Sequence, residues 1–142
     1  MKTNGAAGRL VYPSSIAMDP AGTALFVVDQ INYVTVVDPV TFKVQRAFLV
    51  APSDSMNLYA GQLAVTLDGK YLYVPYDYTL DPSNNLTWQN QVAMFDVATG
   101  RIVGSPITVG KGANFCSIAP NGQTLYVSNG ADGTVTVVDI RP

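Results

Sequence analysis

Leu125-Tyr126-Val127-Ser128-Asn129, followed by Gly133-Thr134-Val135-Thr136-Val137-Val138-Asp139, is the stretch from which the rest of the chain can be read. Two earlier segments repeat it. Leu25-Phe26-Val27 leads to Val34-Thr35-Val36-Val37-Asp38, and Leu72-Tyr73-Val74 leads to Val92-Ala93-Met94-Phe95-Asp96. Gly22, Gly69 and Gly122 stand at one offset ahead of the three copies. A strand-built unit of about 45 residues, unable to bury its own faces, is the mark of stacked blades.

Each copy opens with a strand in which large and small residues alternate. Ile16 and Met18, Leu63 and Val65, Cys116 and Ile118 match one another, with Ala17, Ala64 and Ser117 between them. That pattern predicts a strand held between neighbouring sheets, with Cys116 a buried small apolar residue. Pro20 to Gly22, Asp68-Gly69 and Asn121-Gly122 supply hairpin turns, because Pro fixes φ and Gly accepts a positive φ. The Leu-aromatic-Val segment is strand two and Val-x-Val-x-Asp is strand three. Lys43 to Val50 and Arg101 to Val109 make strand four. Four antiparallel strands per unit make a propeller blade, so the expected fold is all-β: three such units, the last incomplete. Residues 13–50 form blade 1, 60–109 blade 2 with a long loop at 76–90, and 115–142 blade 3.

Tyr126-Val127-Ser128-Asn129 with the Gly133 to Asp139 segment resembles the YVTN β-propeller repeat family, and Phe26-Val27-Val28-Asp29 through Asp38 is a looser copy. The resemblance runs from about residue 13 to the end. Blade 2 departs from it, reading Tyr73-Val74-Pro75-Tyr76 and then carrying an insertion before Val92. The resemblance implies a propeller of the kind found in bacterial and archaeal surface or envelope proteins. It implies no particular ligand. The opening residues Met1 to Gly8 carry no apolar core of a signal peptide.

Propellers close with about 4 to 8 blades, so three blades predict a half-ring or part of a larger one. Blade 3 stops at Asp139-Ile140-Arg141-Pro142, where strand four would start, and Arg9-Leu10-Val11-Tyr12 is an apolar segment where a preceding blade's fourth strand would sit. Two readings stay open: a second copy closes the ring by lending residues 9–12, or the missing blades belong to a longer polypeptide. An isolated arc would leave two faces of roughly 500 Å² bare, more than a monomer ordinarily exposes. At about 25 cal/mol per Å², covering one is worth on the order of 10 kcal/mol.

The side-chain inventory limits the chemistry. The chain has no histidine, and its ten acids are all aspartate. A Ser-His-Asp triad, a Cys-His dyad and imidazole metal ligands are therefore excluded from this chain's own residues, and the expected protein is not an enzyme and carries no cofactor. A calcium loop from Asn129 and Asp132, or from Asp77, Asp81, Asn84 and Asn85, is weighed and set aside, since Asn-Gly and Asp-Gly suit hairpins on their own account. A net charge of −2 and a pI near 4.7 leave no basic face, so nucleic acid is not an expected partner. No apolar run is long enough to cross a bilayer as a helix.

Recognition is expected on one face of the ring. The loop between strands two and three of blade 2, Tyr76 to Asn90, and the connector Ala51 to Gly61 are both enlarged there. Tyr76, Asp77, Tyr78 and Trp88 from the loop, with Met56, Asn57 and Tyr59 from the connector, form the candidate surface, rich in interface-forming aromatics and Met. The expected function is a non-catalytic binding or scaffold module for a protein, peptide or glycan. The alternatives are part of a lactonase-like or lyase-like propeller enzyme, or a surface-layer building block. Against binding stands the simpler reading that Tyr78 and Trp88 fold back to pack the loop.

Overall fold

A computed structural model describes residues 10, 12–29, 33–50 and 57–141, the side chains of 57 and 58 excepted. Among these residues there is no helix, and twelve strands form three antiparallel sheets. The first sheet has the order β1 (Pro13–Met18), β2 (Leu25–Asp29), β3 (Tyr33–Val37) and β4 (Val44–Leu49). In the second, β7 (Tyr71–Leu80) pairs with β8 (Leu86–Asp96), and β8 with the short β9 (Ile107–Thr108). Its first strand comes in two pieces, β5 (Asn57–Ala60) and β6 (Ala64–Val65), both on β7. The third contains β10 (Ala113–Ile118), β11 (Thr124–Asn129) and β12 (Thr134–Asp139), with no fourth strand beyond β12. These are propeller blades, two four-stranded in plan and one lacking its outer strand.

Strand four of blade 2 is thinner than its sequence suggested. Ile102 bridges Phe95 and Ile107 pairs with Val92, but Gly104, Ser105 and Pro106 bulge out between those contacts. Proline has no N–H for the ladder and Gly104 takes a φ of 69°, so the strand cannot run straight through.

Blade packs on blade through alternating side chains. Phe26, Val28, Val34 and Val36 of blade 1 meet Leu63, Leu72, Val74, Ala93 and Phe95 of blade 2 in one fully buried cluster. The opposite face of blade 2, through Tyr73 and Val92, meets Cys116, Leu125 and Val127 of blade 3 in a second. The repeat register makes the consequence visible. Val34 and Val92 are both 0% exposed, whereas Val135 at the same repeat position is 61% exposed on the free face of blade 3. At the other end Ile16 is 58% exposed, although its equivalents Leu63 and Cys116 are buried. The expectation that Ile16 and Met18 sit in a core is thus corrected: their face looks toward where a preceding blade would lie.

Turns are closed by aspartate. Asp38 and Asp96 end their third strands and accept N–H groups from Val40 and Thr41, and from Thr99. Hydrogen bonds to the ionised carboxyl hold both below the usual carboxylate range.

The segment 76–90 is not a loop. It continues β7 and β8 as a paired hairpin, with Tyr78 opposite Trp88 and Leu80 opposite Leu86, and turns only at Asp81 to Asn85. Asp81 accepts the N–H groups of Ser83 and Asn85 there. Of the segment proposed to serve as a swapped strand, Arg9 and Val11 lie outside the described residues, and Leu10 and Tyr12 belong to no strand.

Truncating Phe95 to Ala in the middle of the first cluster is expected to cost about 3–5 kcal/mol, while Ile16→Ala should change stability by less than about 0.5 kcal/mol. Denaturant unfolding of both variants checks this, and an equally large loss for Ile16→Ala would mean that its face is covered in solution.

Candidate functional site

The first strands of the three blades converge, blades 2 and 3 touching through their backbones and blade 2 meeting blade 1 through a serine side chain. The Gln62 N–H donates to the Asn114 carbonyl at 2.7 Å, the Cys116 N–H to the Gln62 carbonyl at 3.3 Å, and the Leu63 N–H to Ser15 Oγ at 3.3 Å. A Cβ on Gly61 would lie 1.7 Å from the Asn114 carbonyl oxygen, so only glycine permits this approach. Cys116 is sealed into the seam with its Sγ 3.1 Å from the Gln62 carbonyl, and burial pushes its thiol up to about 12.

Where the strands meet, a cavity of about 410 Å³ opens. Its floor is built from Ser14 and Ser15, Gly61 and Gln62, and Asn114 and Phe115. These are the same two repeat positions in three blades, just ahead of the Ile16, Leu63 and Cys116 position. Sequence reading missed them. The repeat alignment could have found them, since polar residues just before an apolar inner strand mark its open end. Asp77, Tyr78, Tyr59, Ala60 and Ile16 form the remaining wall.

The candidate residues separate into groups. Tyr59, Tyr78 and Trp88 lie directly opposite one another across β5, β7 and β8 and make an aromatic row. The tyrosine rings stack at 4.2 Å, and Trp88 meets Tyr78 edge-on at 5.9 Å. Such cross-strand pairs tie together the three strands of this extension, β5, β7 and β8. Trp88 also covers Gly112, where a Cβ would come within 3.2 Å of its ring, yet it remains 45% exposed.

Tyr76 does not join that surface. It is buried in the first core cluster, with its hydroxyl donating to the Val50 carbonyl at 2.8 Å, and burial pushes its phenol up to about 12. Asn57 pairs with Leu80 through its backbone in β5, and Met56 lies outside the described residues. Asp77 is half-buried in the cavity wall, and loss of hydration raises its carboxyl above the ordinary carboxylate range.

Most of the groups weighed for calcium are held in turns or hairpins, although among the described residues Asp77 and the buried Asn129 Oδ1 accept no hydrogen bond. Asp81 serves its own turn, Asp132 accepts the Lys111 N–H, and Asn129 is buried with its amide donating to Thr134 and Thr136. Among the described residues no group of three or more acidic, Cys or His side chains could hold a metal.

No protein-family model matches the sequence, and no curated protein does. Solved structures do match. Hydrazine synthase of Kuenenia stuttgartiensis superposes over 99% of this chain with a TM-score of 0.70 and 26% identity, using 36% of its own length. The Cps50 (Swd1) β-propeller domain of Myceliophteria thermophila covers 95% with a TM-score of 0.67 and 16% identity, over 38% of its length. A Bacteroides fragilis protein assigned as a 6-phosphogluconolactonase covers 89% with a TM-score of 0.70 and 18% identity, over 34% of its length. The chain therefore has the fold of a β-propeller arc and spans little more than a third of each of these three structures.

Replacing Tyr76 with Phe removes one buried hydrogen bond, to the Val50 carbonyl, which should cost about 1–3 kcal/mol. Urea unfolding measures this, and an unchanged midpoint would return Tyr76 to the recognition surface.

Proposed function

We propose that this chain is part of a YVTN-type propeller that binds a protein, peptide or glycan and does not transform it. The observation that carries this reading is the cavity at the meeting of the first strands, walled by Asp77 and Tyr78 and flanked by the aromatic row. Concave sites with a few convergent polar groups are where ligands bind, and here the polar groups come from three blades at once. The chain brings no histidine or glutamate to such a site, so its own residues offer recognition and little acid–base catalysis. Trp88 gives the site an exposed rim residue of the type that dominates interfaces.

Further blades of the same repeat complete the ring in this reading. The free face of blade 3, with Tyr126, Val135 and Val137, offers the positions that Phe26, Val34 and Val36 offer to blade 2. The free face of blade 1, with Ile16 and Met18, offers the other half of the same seam. The small share of each matched structure that the chain covers favours a longer propeller, and a second reading makes that longer propeller an enzyme, as two of the matched structures are named.

Trp88→Ala is expected to leave unfolding unchanged within about 1 kcal/mol while abolishing capture of the partner; loss of folding would assign Trp88 to packing. Light scattering over a dilution series separates the sources of the missing blades. A persistent dimer places them in a second copy, and a monomer that aggregates places them in a longer polypeptide.

A further inference from the structure

We propose that the cavity receives a positively charged side chain, the ammonium or guanidinium of a peptide or protein partner, with Asp77 as its counter-charge. This rests on the binding reading above and names what is bound.

The first observation is a contrast among the acids. The chain has ten, all aspartate, and Asp54 lies outside the described residues. Asp19, Asp38, Asp68, Asp81, Asp96 and Asp139 each accept hydrogen bonds from their own turn. Asp29 accepts the Tyr33 N–H and Asp132 the Lys111 N–H. Among the described residues no donor reaches Asp77, which alone of these acids is left unpaired, although it is half-buried. An ionised carboxylate that gives up water without a partner is unfavourable, so the free protein holds a charge that a ligand could neutralise.

The second observation is how Asp77 reaches the cavity. On one side of β7, Tyr76 pairs with Ala60 and Tyr78 with the adjacent Tyr59, leaving Asp77 without an opposite residue. On the other side, Tyr76 pairs with Gln91 and Tyr78 with Trp88, so the ladder slips again at the same place. A bulge breaks alternation and re-aims a side chain. Here it turns the acid into the cavity while its neighbour Tyr76 stays in the core.

Beside the apolar Ile16, Ala60 and Phe115, the rest of the lining suits a cation. No Lys or Arg is among the lining residues. Ser14, Ser15, Gln62 and Asn114 bring side-chain oxygens that can accept N–H bonds. Tyr59 and Tyr78 bring aromatic groups, whose faces attract cations. A neutral sugar could satisfy the hydroxyls and amides but would leave the charge of Asp77 uncompensated. The acidic balance of the chain, with net charge −2, adds a weak long-range pull in the same direction.

The test is an NMR titration of the 142-residue chain with N-acetyl-lysine methylamide and N-acetyl-arginine methylamide, using N-acetyl-norleucine methylamide as the uncharged control. Saturable shifts are expected at the amides of Ser15, Gln62 and Asn114 for the charged probes. Asp77→Asn should weaken that binding at least tenfold without lowering the thermal midpoint, since it removes an unpaired charge; a purely structural Asp77 would lower the midpoint. Equal binding by the norleucine probe, or by Asp77→Asn, overturns the charge assignment. A methyl glycoside that saturates the same amides while the cations are silent overturns it too, yet leaves the binding reading standing. Silence from every probe overturns both.

Discussion

A β-sheet whose two faces are both apolar is stable only when each face is covered, and in this chain every other feature follows from that requirement. The aromatic or Val residue at the centre of each second strand fixes which neighbour is needed. Phe26 and Tyr73 bury against the next blade, while among the described residues no further blade covers Tyr126, which stays nearly half exposed. The seam between blades is therefore a repeated interface, present twice inside the chain and offered in two unmatched halves at its ends. Its hydrophobic content also sets where polar atoms can go. They collect at the open ends of the first strands, and the cavity forms there because three blades bring equivalent positions together around Gly61.

One repeat position decides the shape of the rim. Asp29, Tyr76 and Asn129 are equivalent and all buried. In blades 1 and 3 a short polar side chain bonds back into the hairpin, Asp29 to the Tyr33 N–H and Asn129 to Thr134 and Thr136, so the chain reverses at once. Tyr76 cannot do this; its long side chain reaches across to blade 1 and bonds the Val50 carbonyl. With no group to close the turn, the strands of blade 2 run on until Asp81 supplies one. The tall hairpin, the aromatic row along it and the bulge at Asp77 all stem from that exchange.

This explains what could be read from the sequence and what could not. The Leu-aromatic-Val and Val-x-Val-x-Asp segments are strands as their alternation indicates, because period-2 patterning against a neighbouring sheet is a local signal. The run from Tyr76 to Asn90 was legible as an insertion but not as a hairpin, since Pro82, Ser83, Asn84 and Asn85 are turn formers whichever way the flanking residues pair. Tyr59, Asp77 and Tyr78 were readable as surface candidates from composition, whereas Tyr76 beside them is core. A shift of one residue along a strand reverses its side, and the bulge made that parity unreadable. Ile16 and Met18 have core chemistry, but whether such a residue is covered depends on a blade that local sequence does not contain.

The single cysteine gives the seam between blades 2 and 3 a chemical clock. Cys116 is buried, and its thiol is pushed far from the range in which thiolate is abundant. An alkylating reagent can reach it only when the inner strands part, and only as fast as they do, because a reactive thiolate requires both solvent and room. The rate of its modification would thus record how often one blade breathes away from the next, at a position where the backbone of each blade already leans on its neighbour.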